Sequence, residues 1–404
     1  MFAPFRGERY ADAASLARRL APPYDVIGPA QRAALAAQDP ANVVRVDLPV
    51  APEGGDPYEE AARLLSGWRT QGILTRDAGP CAYVLRTTSG FEDGSVRART
   101  GAFLAVSAEP FAEGRVLPHE RTHRGPKEDR RRLTHATACN LSPVFLLAPD
   151  SRGELAASLA RVTAAEPWAR AEAIGASHEV WVVGGEDAPR IAAAAGAEPA
   201  YIADGHHRYE TSIVIREEAP AAWRAGARRT LAHVVSFRDP GLEILPTHRV
   251  VEGRKLAVEE VLAAAAPYFE PASREGATLT LVFGDGSQAP VALRSDADLS
   301  AATDLPAHPA VRSLAVAVCD AVMVKVVASS LQGGAPGLRY TPVEAEARAA
   351  ARDDAVAFAI LLPPTRLEEV KRVADAGEVM PPKSTFFAPK VPTGVVLRPL
   401  AGES

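Results

Sequence analysis

A mixed α/β (α+β) fold is expected for this chain on three observations. The segments Cys81 to Thr88 and Arg99 to Ala108 alternate apolar and polar residues on either side of a Gly/Asp-rich connection, which predicts a hairpin. Tyr201-Ile202-Ala203 reads as the end of a buried strand, Asp204-Gly205 as a turn, and the residues from His207 onward as a helix whose inward face is Tyr209, Ile213 and Ile215. Beyond residue 252, helical and strand-like stretches keep alternating.

Taken in order, the first 75 residues carry helical stretches at Asp12–Arg19, Ala30–Gln38 and Pro57–Gln71. Between them lie a rigid loop, Pro22-Pro23-Tyr24-Asp25, and a strand-like run from Asn42 to Leu48. The predicted hairpin follows, then a polar, basic stretch from Leu117 to Asn140 that reads as an exposed loop and helix. Strand character returns at Leu141–Leu147 and Val180–Val183, with a helix between them from about Gly153 to Ala173. After the turn at Asp204-Gly205, a helix is expected to run on to Arg229, followed by a strand at Leu231–Phe237 and a segment from Leu242 to Val251. A boundary at 251/252 separates residues 1–251 from a C-terminal α/β region, 252–404. That second region holds a helix at Lys255–Phe269, a hairpin at Thr278–Phe283 and Ala289–Leu293, a buried helix at Leu314–Leu331, a strand at Ala355–Leu362 and a helix at Arg366–Ala376.

Composition narrows the function classes. With 47% apolar and 24% charged residues the chain can bury sizeable cores. A formal net charge of -5 gives no general electrostatic drive towards nucleic acid. The three cysteines, Cys81, Cys139 and Cys319, form no CxxC and suit a reducing compartment. No signal peptide is legible, and Asp320 and Lys325 interrupt the most apolar long segment, so a cytoplasmic protein without membrane partners is expected.

The densest chemistry lies at Asp204-Gly205-His206-His207-Arg208. The first amides of a helix lack partners within it and carry the positive end of its dipole, so they suit a phosphate. Gly205 lets the anion approach, Arg208 adds a planar fork, and His206 and His207 donate hydrogen bonds or move protons. Asp204 is a candidate base or magnesium ligand. Adjacent histidines point apart and no second pair follows at helical spacing, which disfavours zinc.

A second cluster runs from His119 and Glu120 to Lys127 and Arg130, with Glu120 a candidate general base and Lys127 a phosphate clamp. Near the C-terminus, Met380-Pro-Pro-Lys383-Ser384-Thr385 reads as an ordered loop that carries Lys383, rather than Lys390, into a cleft. His248-Arg249 forms another His-Arg pair, and Asp25 is either catalytic or a turn cap. Neither a Walker A motif nor GxGxxG is present.

Taken together, Pro4-Phe-Arg-Gly, Pro22-Pro-Tyr-Asp-Val-Ile, Asn42-Val-Val-Arg, Pro118-His-Glu-x-Thr, Asn140-Leu-Ser-Pro, Ala203-Asp-Gly-His-His-Arg-Tyr-Glu-Thr, Leu245-Pro-Thr-His-Arg and Met380-Pro-Pro-Lys-Ser-Thr resemble domain-of-unknown-function family 1015 along nearly the whole chain. The Asp-Gly-His-His-Arg turn is also similar to the phosphate-binding turn of the ParB/sulfiredoxin-like superfamily, which includes ADP-dependent kinases of free L-serine. The resemblance implies a ParB/sulfiredoxin-like core with large additions, a nucleotide phosphate held at Gly205 to Arg208, and an acidic base, Glu120 or Asp204, that activates a small hydroxyl. Lys127, Lys383, Ser384 and Thr385 are the further phosphate contacts expected from the residues themselves. Substrate contacts are expected from His119, Thr122, Asn140, His248 and Arg249. Magnesium and ADP or ATP are the implied cofactors, with small-molecule partners and a homo-oligomer as an option. The expected activity is phosphotransfer between a nucleotide and L-serine or a similar hydroxyl compound. A metal-assisted phosphohydrolase and a non-catalytic nucleotide-binding switch are the alternatives. No DNA-reading helix pair is present, and His206 stands where a sulfiredoxin cysteine would sit, so neither of those activities is expected.

Overall fold

The computed structural model describes residues 1–51, 53–121 and 124–402. It has a mixed α+β architecture in two compact units, one of residues 1–118, 122–242 and 389–404, the other of residues 119–121 and 243–388.

The first unit is built on a nine-stranded sheet. In chain order its strands are β1 Phe2–Ala3, β2 Ala82–Gly90, β3 Val96–Ser107, β4 Val116–Leu117, β5 Val144–Ala148, β6 Ala169–Ala173, β7 Ala176–Val183, β8 Ala200–Asp204 and β9 Arg229–Ser236. They lie in the order β4-β8-β5-β9-β3-β2-β7-β6, with β1 beside the end of β3. The β4/β8 and β5/β9 pairs are parallel and the remainder antiparallel. Strand periodicity places Ala102, Leu104, Val106, Val144, Leu146, Ile202, Ala232 and Val234 in one buried cluster. Its helical side comes from α4 Glu154–Val162, α5 Asp187–Ala195 and α6 His206–Glu218 through Leu155, Leu159, Ile191 and Tyr209. Burying each such side chain contributes about 1.5–3 kcal/mol. Three helices of two or more turns precede these in the chain, α1 Pro29–Gln38, α2 Pro57–Thr70 and α3 Arg124–Thr137, and the short α7 Arg224–Ala227 follows α6.

Three expected elements differ from the structure. The strand expected at Asn42 to Leu48 is instead a helical turn at Val44–Asp47. Asn42 explains it: its Oδ1 accepts from the Val44 amide at 2.9 Å and its Nδ2 donates to the carbonyls of Arg18 and Leu20, a local side-chain alternative to a ladder. The helix expected from Gly153 to Ala173 stops at Val162, and Ala169–Ala173 is the edge strand β6. Pro167 disfavours helix for the residue before it, and beyond it the run Ala-Arg-Ala-Glu-Ala alternates buried and exposed positions. The helix expected through Arg229 ends at Glu218, ahead of Pro220, and resumes as α7.

The second unit carries a six-stranded antiparallel sheet of β10 His248–Glu252, β11 Phe269–Pro271, β12 Leu279–Val282, β13 Gln288–Leu293, β14 Leu338–Thr341 and β15 Val356–Leu361, ordered β11-β13-β12-β15-β10-β14. Val250, Val282, Val356, Ala359 and Leu361 form its core with Ala347 and Ala351. Ala315–Gln332 is one continuous helix, long and apolar enough by length and composition to cross a membrane, yet 56% of it is buried inside the structure as a core helix would be.

Candidate functional site

At the strand-to-helix corner of the first unit, a glycine turns a sheet strand directly into a helix N-terminus. Strand β8 ends at Asp204, Gly205 turns the chain with φ +89°, and α6 begins at His206. That positive φ suits glycine, and a Cβ here would approach the Arg208 Cζ and Nε to 2.9 Å. The amides of His206, His207 and Arg208 form the first turn, whose dipole favours negative charge. His206 is buried and His207 half-buried. Arg208, buried at the same corner, donates to the Pro143 carbonyl and stands 3.6 Å from the Asp204 carboxylate.

Asp204 is enclosed by positive charge. Its Oδ1 accepts from the Gly205 amide at 2.8 Å, and its Oδ2 accepts from Lys390 Nζ at 3.1 Å. Burial by itself would raise this carboxyl, but Lys390 and Arg208 outweigh it and hold Asp204 well below the usual carboxylate range. A carboxylate so stabilised is a weak base. It orients the two cations instead.

A second layer supports Arg208. Buried Arg130, on α3, donates to Asp47 at 3.0 Å and to Asp129 at 2.6 Å, and its guanidinium lies 3.8 Å from the centre of the Tyr24 ring. Asp47 also accepts from Ser142 at 2.7 Å, and burial raises its carboxyl despite both partners. A cavity of about 40 Å³ runs between Asp47, Arg130, Asn140, Ser142, Arg208 and Thr211. It has room for a few waters but not for a metabolite. Exposed Asp25, next to Tyr24, acts electrostatically on Arg208 and Asp47.

The other expected site residues divide between the units. Lys127 pairs with Glu210 at 2.7 Å across α3 and α6. Asn140 is a structural clamp, its Oδ1 accepting from the Leu231 amide and from Arg398. In the second unit, His119-Glu120 and Lys383-Ser384-Thr385 come together: the Glu120 Oε1 accepts from the Lys383 amide at 3.3 Å, and His119 Nε2 meets Thr385 Oγ1 at 3.1 Å. Lys383 has φ +59° and Ser384 donates to the Pro381 carbonyl. Buried Arg249 binds Asp320 at 2.9 Å and the Lys383 carbonyl at 3.0 Å, and His248 Nδ1 accepts from the Leu362 amide. Thr122 lies outside the described residues.

Residues 2–317 match the family model described as "Protein of unknown function (DUF1015)". The chain belongs to this family. No curated protein matches this DUF1015 chain. Solved structures similar to it include a free serine kinase in complex with AMP, at 14% identity over 71% of this chain and 87% of that one, with a TM-score of 0.36. A conserved hypothetical protein from Pyrococcus furiosus shows 15% identity over 72% and 93%, at 0.36. C-terminally truncated SbnI from Staphylococcus aureus shows 12% over 72% and 84%, at 0.37. At this depth of similarity, the activity of the DUF1015 chain rests on the chemistry of its own residues.

The loop composition favours Lys383 over Lys390, yet Lys390 is the lysine that meets Asp204. Arg130 and Asp47 were not singled out as a pair, since they lie 83 positions apart and neither carries a motif. Magnesium does not fit Asp204 as arranged, because both carboxylate oxygens already accept hydrogen bonds and two cations flank the group. Among the described residues no cluster of three His, Cys, Asp or Glu is placed to hold a metal ion.

Proposed function

We propose that this DUF1015 protein is a cytoplasmic phosphotransferase acting between a nucleoside di- or triphosphate and a small hydroxyl metabolite, with L-serine the first acceptor to test. One observation carries the reading: at a glycine-turned helix N-terminus, Arg208 and Lys390 converge on one carboxylate, Asp204. A phosphate arriving there gains the helix amides, the Arg208 fork and the Lys390 ammonium together. Phosphoryl transfer is catalysed mainly by positioning and charge neutralisation, which these groups supply. Asp204 holds both cations near the transferring group. The hydroxyl proton needs an acceptor that is not locked between cations, which favours exposed Asp25 over Asp204 within this unit. Glu120 remains a candidate within the second unit, where it accepts from the Lys383 amide. Unpaired thiols at all three cysteines support a reducing compartment.

The test is transfer from labelled ADP and, separately, ATP to a panel of small hydroxyl compounds, with Asp25→Asn and Arg208→Met alongside. Asp25→Asn is expected to lower kcat with nucleotide affinity retained, whereas Arg208→Met is expected to weaken nucleotide binding. Transfer unchanged in both variants would remove the corner from the chemistry.

A further inference from the structure

A separate basic cleft lies at the far end of α6. It has a volume of about 570 Å³ and is lined by Arg216, Arg224, Arg228 and Arg229 against two carboxylates, Glu109 and Glu217. The carboxylates are engaged: Glu109 binds Arg115 in a two-pronged pair, and exposed Glu217 stands 3.6 Å from Arg216. Arg216 and Arg224 are anchored by single hydrogen bonds to the carbonyls of Ala108 and Ala219, which orient their forks and leave further N–H groups available. Among the described residues, no hydrogen bond or ion pair engages the side chain of Arg228 or Arg229.

The C-terminal end of a helix carries negative partial charge and would by itself repel an anion. Four arginines at that end outweigh it and cluster like charges, an arrangement that an anion relieves. Each guanidinium presents a planar fork matched to two phosphate oxygens. The volume falls in the range of small-molecule sites. A concave cleft on a chain of net charge -5 suits a compact polyanion better than an extended nucleic acid.

We infer that this cleft binds a condensed phosphate, as the polyphosphate of a nucleotide or as inorganic polyphosphate, at a locus distinct from the Asp204 corner. At about 1.5 Å per residue, the thirteen residues of α6 put roughly 18 Å between the two ends. The inference does not depend on turnover at the corner.

The experiment is calorimetric titration of the full chain with inorganic tripolyphosphate at low ionic strength, since exposed charges are screened by salt. Two equivalents are expected for the wild type. Arg228→Gln/Arg229→Gln, whose side chains make no internal hydrogen bonds, is expected to weaken one equivalent by at least about tenfold with the melting temperature unchanged. Arg208→Met is expected to remove only the other. Two equivalents surviving in the double variant would overturn the inference, as would a single wild-type equivalent abolished by Arg208→Met alone. Tighter binding of single-stranded DNA than of tripolyphosphate would also overturn it. A single wild-type equivalent that survives Arg208→Met and is weakened in the double variant would count against the proposed function and leave the cleft standing. ATP in place of tripolyphosphate then distinguishes a nucleotide from inorganic polyphosphate.

Discussion

Gly205, Asp204 and Arg99 show how single residues divide between function and stability. Gly205→Ala places a side chain at φ +89° against Arg208, which is expected to cost about 1–3 kcal/mol of stability and to displace the Arg208 fork. Thermal melts and nucleotide titrations measure both effects. Asp204 has a depressed pKa, so its stabilising interaction is present above the ordinary carboxylate range and is lost as pH falls through the folded value. Asp204→Asn is therefore expected to lower the melting temperature at neutral pH, by an amount that shrinks on acidification. A constant difference across pH would contradict this. Arg99 is fully buried over the Phe145 ring at 4.7 Å, and none of its three guanidinium nitrogens has a hydrogen-bond partner among the described residues. Burial pushes it down to about 10. Arg99→Met keeps the bulk and removes the unpaired charge, and is expected to stabilise the protein by about 1–4 kcal/mol in denaturant unfolding; destabilisation would contradict the reading.

At the scale of elements, local chemistry was legible and chain reversals were less so. The corner formed by β8, Gly205 and α6 appears where the turn and helix signals put it, because its turn, its glycine and its apolar face all act within a few residues. The edge strand β6 differs from its expected helix because alanine favours helix while tertiary pairing with β7 decides. Strand β10 supplies an element-scale prediction. Burial lowers His248 to about 4, and its Nδ1 must stay neutral to accept from the Leu362 amide. Between pH about 6.5 and 4 the unfolded chain binds a proton that the native state refuses, so stability falls on acidification, by up to about 3 kcal/mol. His248→Gln, which retains an acceptor without titrating, is expected to flatten that part of the stability profile. An unchanged profile would assign the acid sensitivity elsewhere.

For the whole molecule, the sequence carried the mixed α+β class and the polar residues at the corner, because both follow from local periodicity and motif density. The return of residues 389–404 to the first unit was not legible. It depends on pairings such as Arg398 with Asn140 and Glu8 with Leu397, which no local pattern announces. Lys390 arrives at Asp204 by the same return, which explains why Lys383 had looked the better residue. The most direct test of the account is phosphorus NMR of the full chain with magnesium, L-serine and ADP or ATP, run beside Arg208→Met. A serine-dependent phosphomonoester signal, formed as nucleotide is consumed and absent in Arg208→Met, is the predicted result. Phosphoserine hydrolysed to free phosphate without nucleotide, or no phosphorus exchange in any mixture, would contradict it.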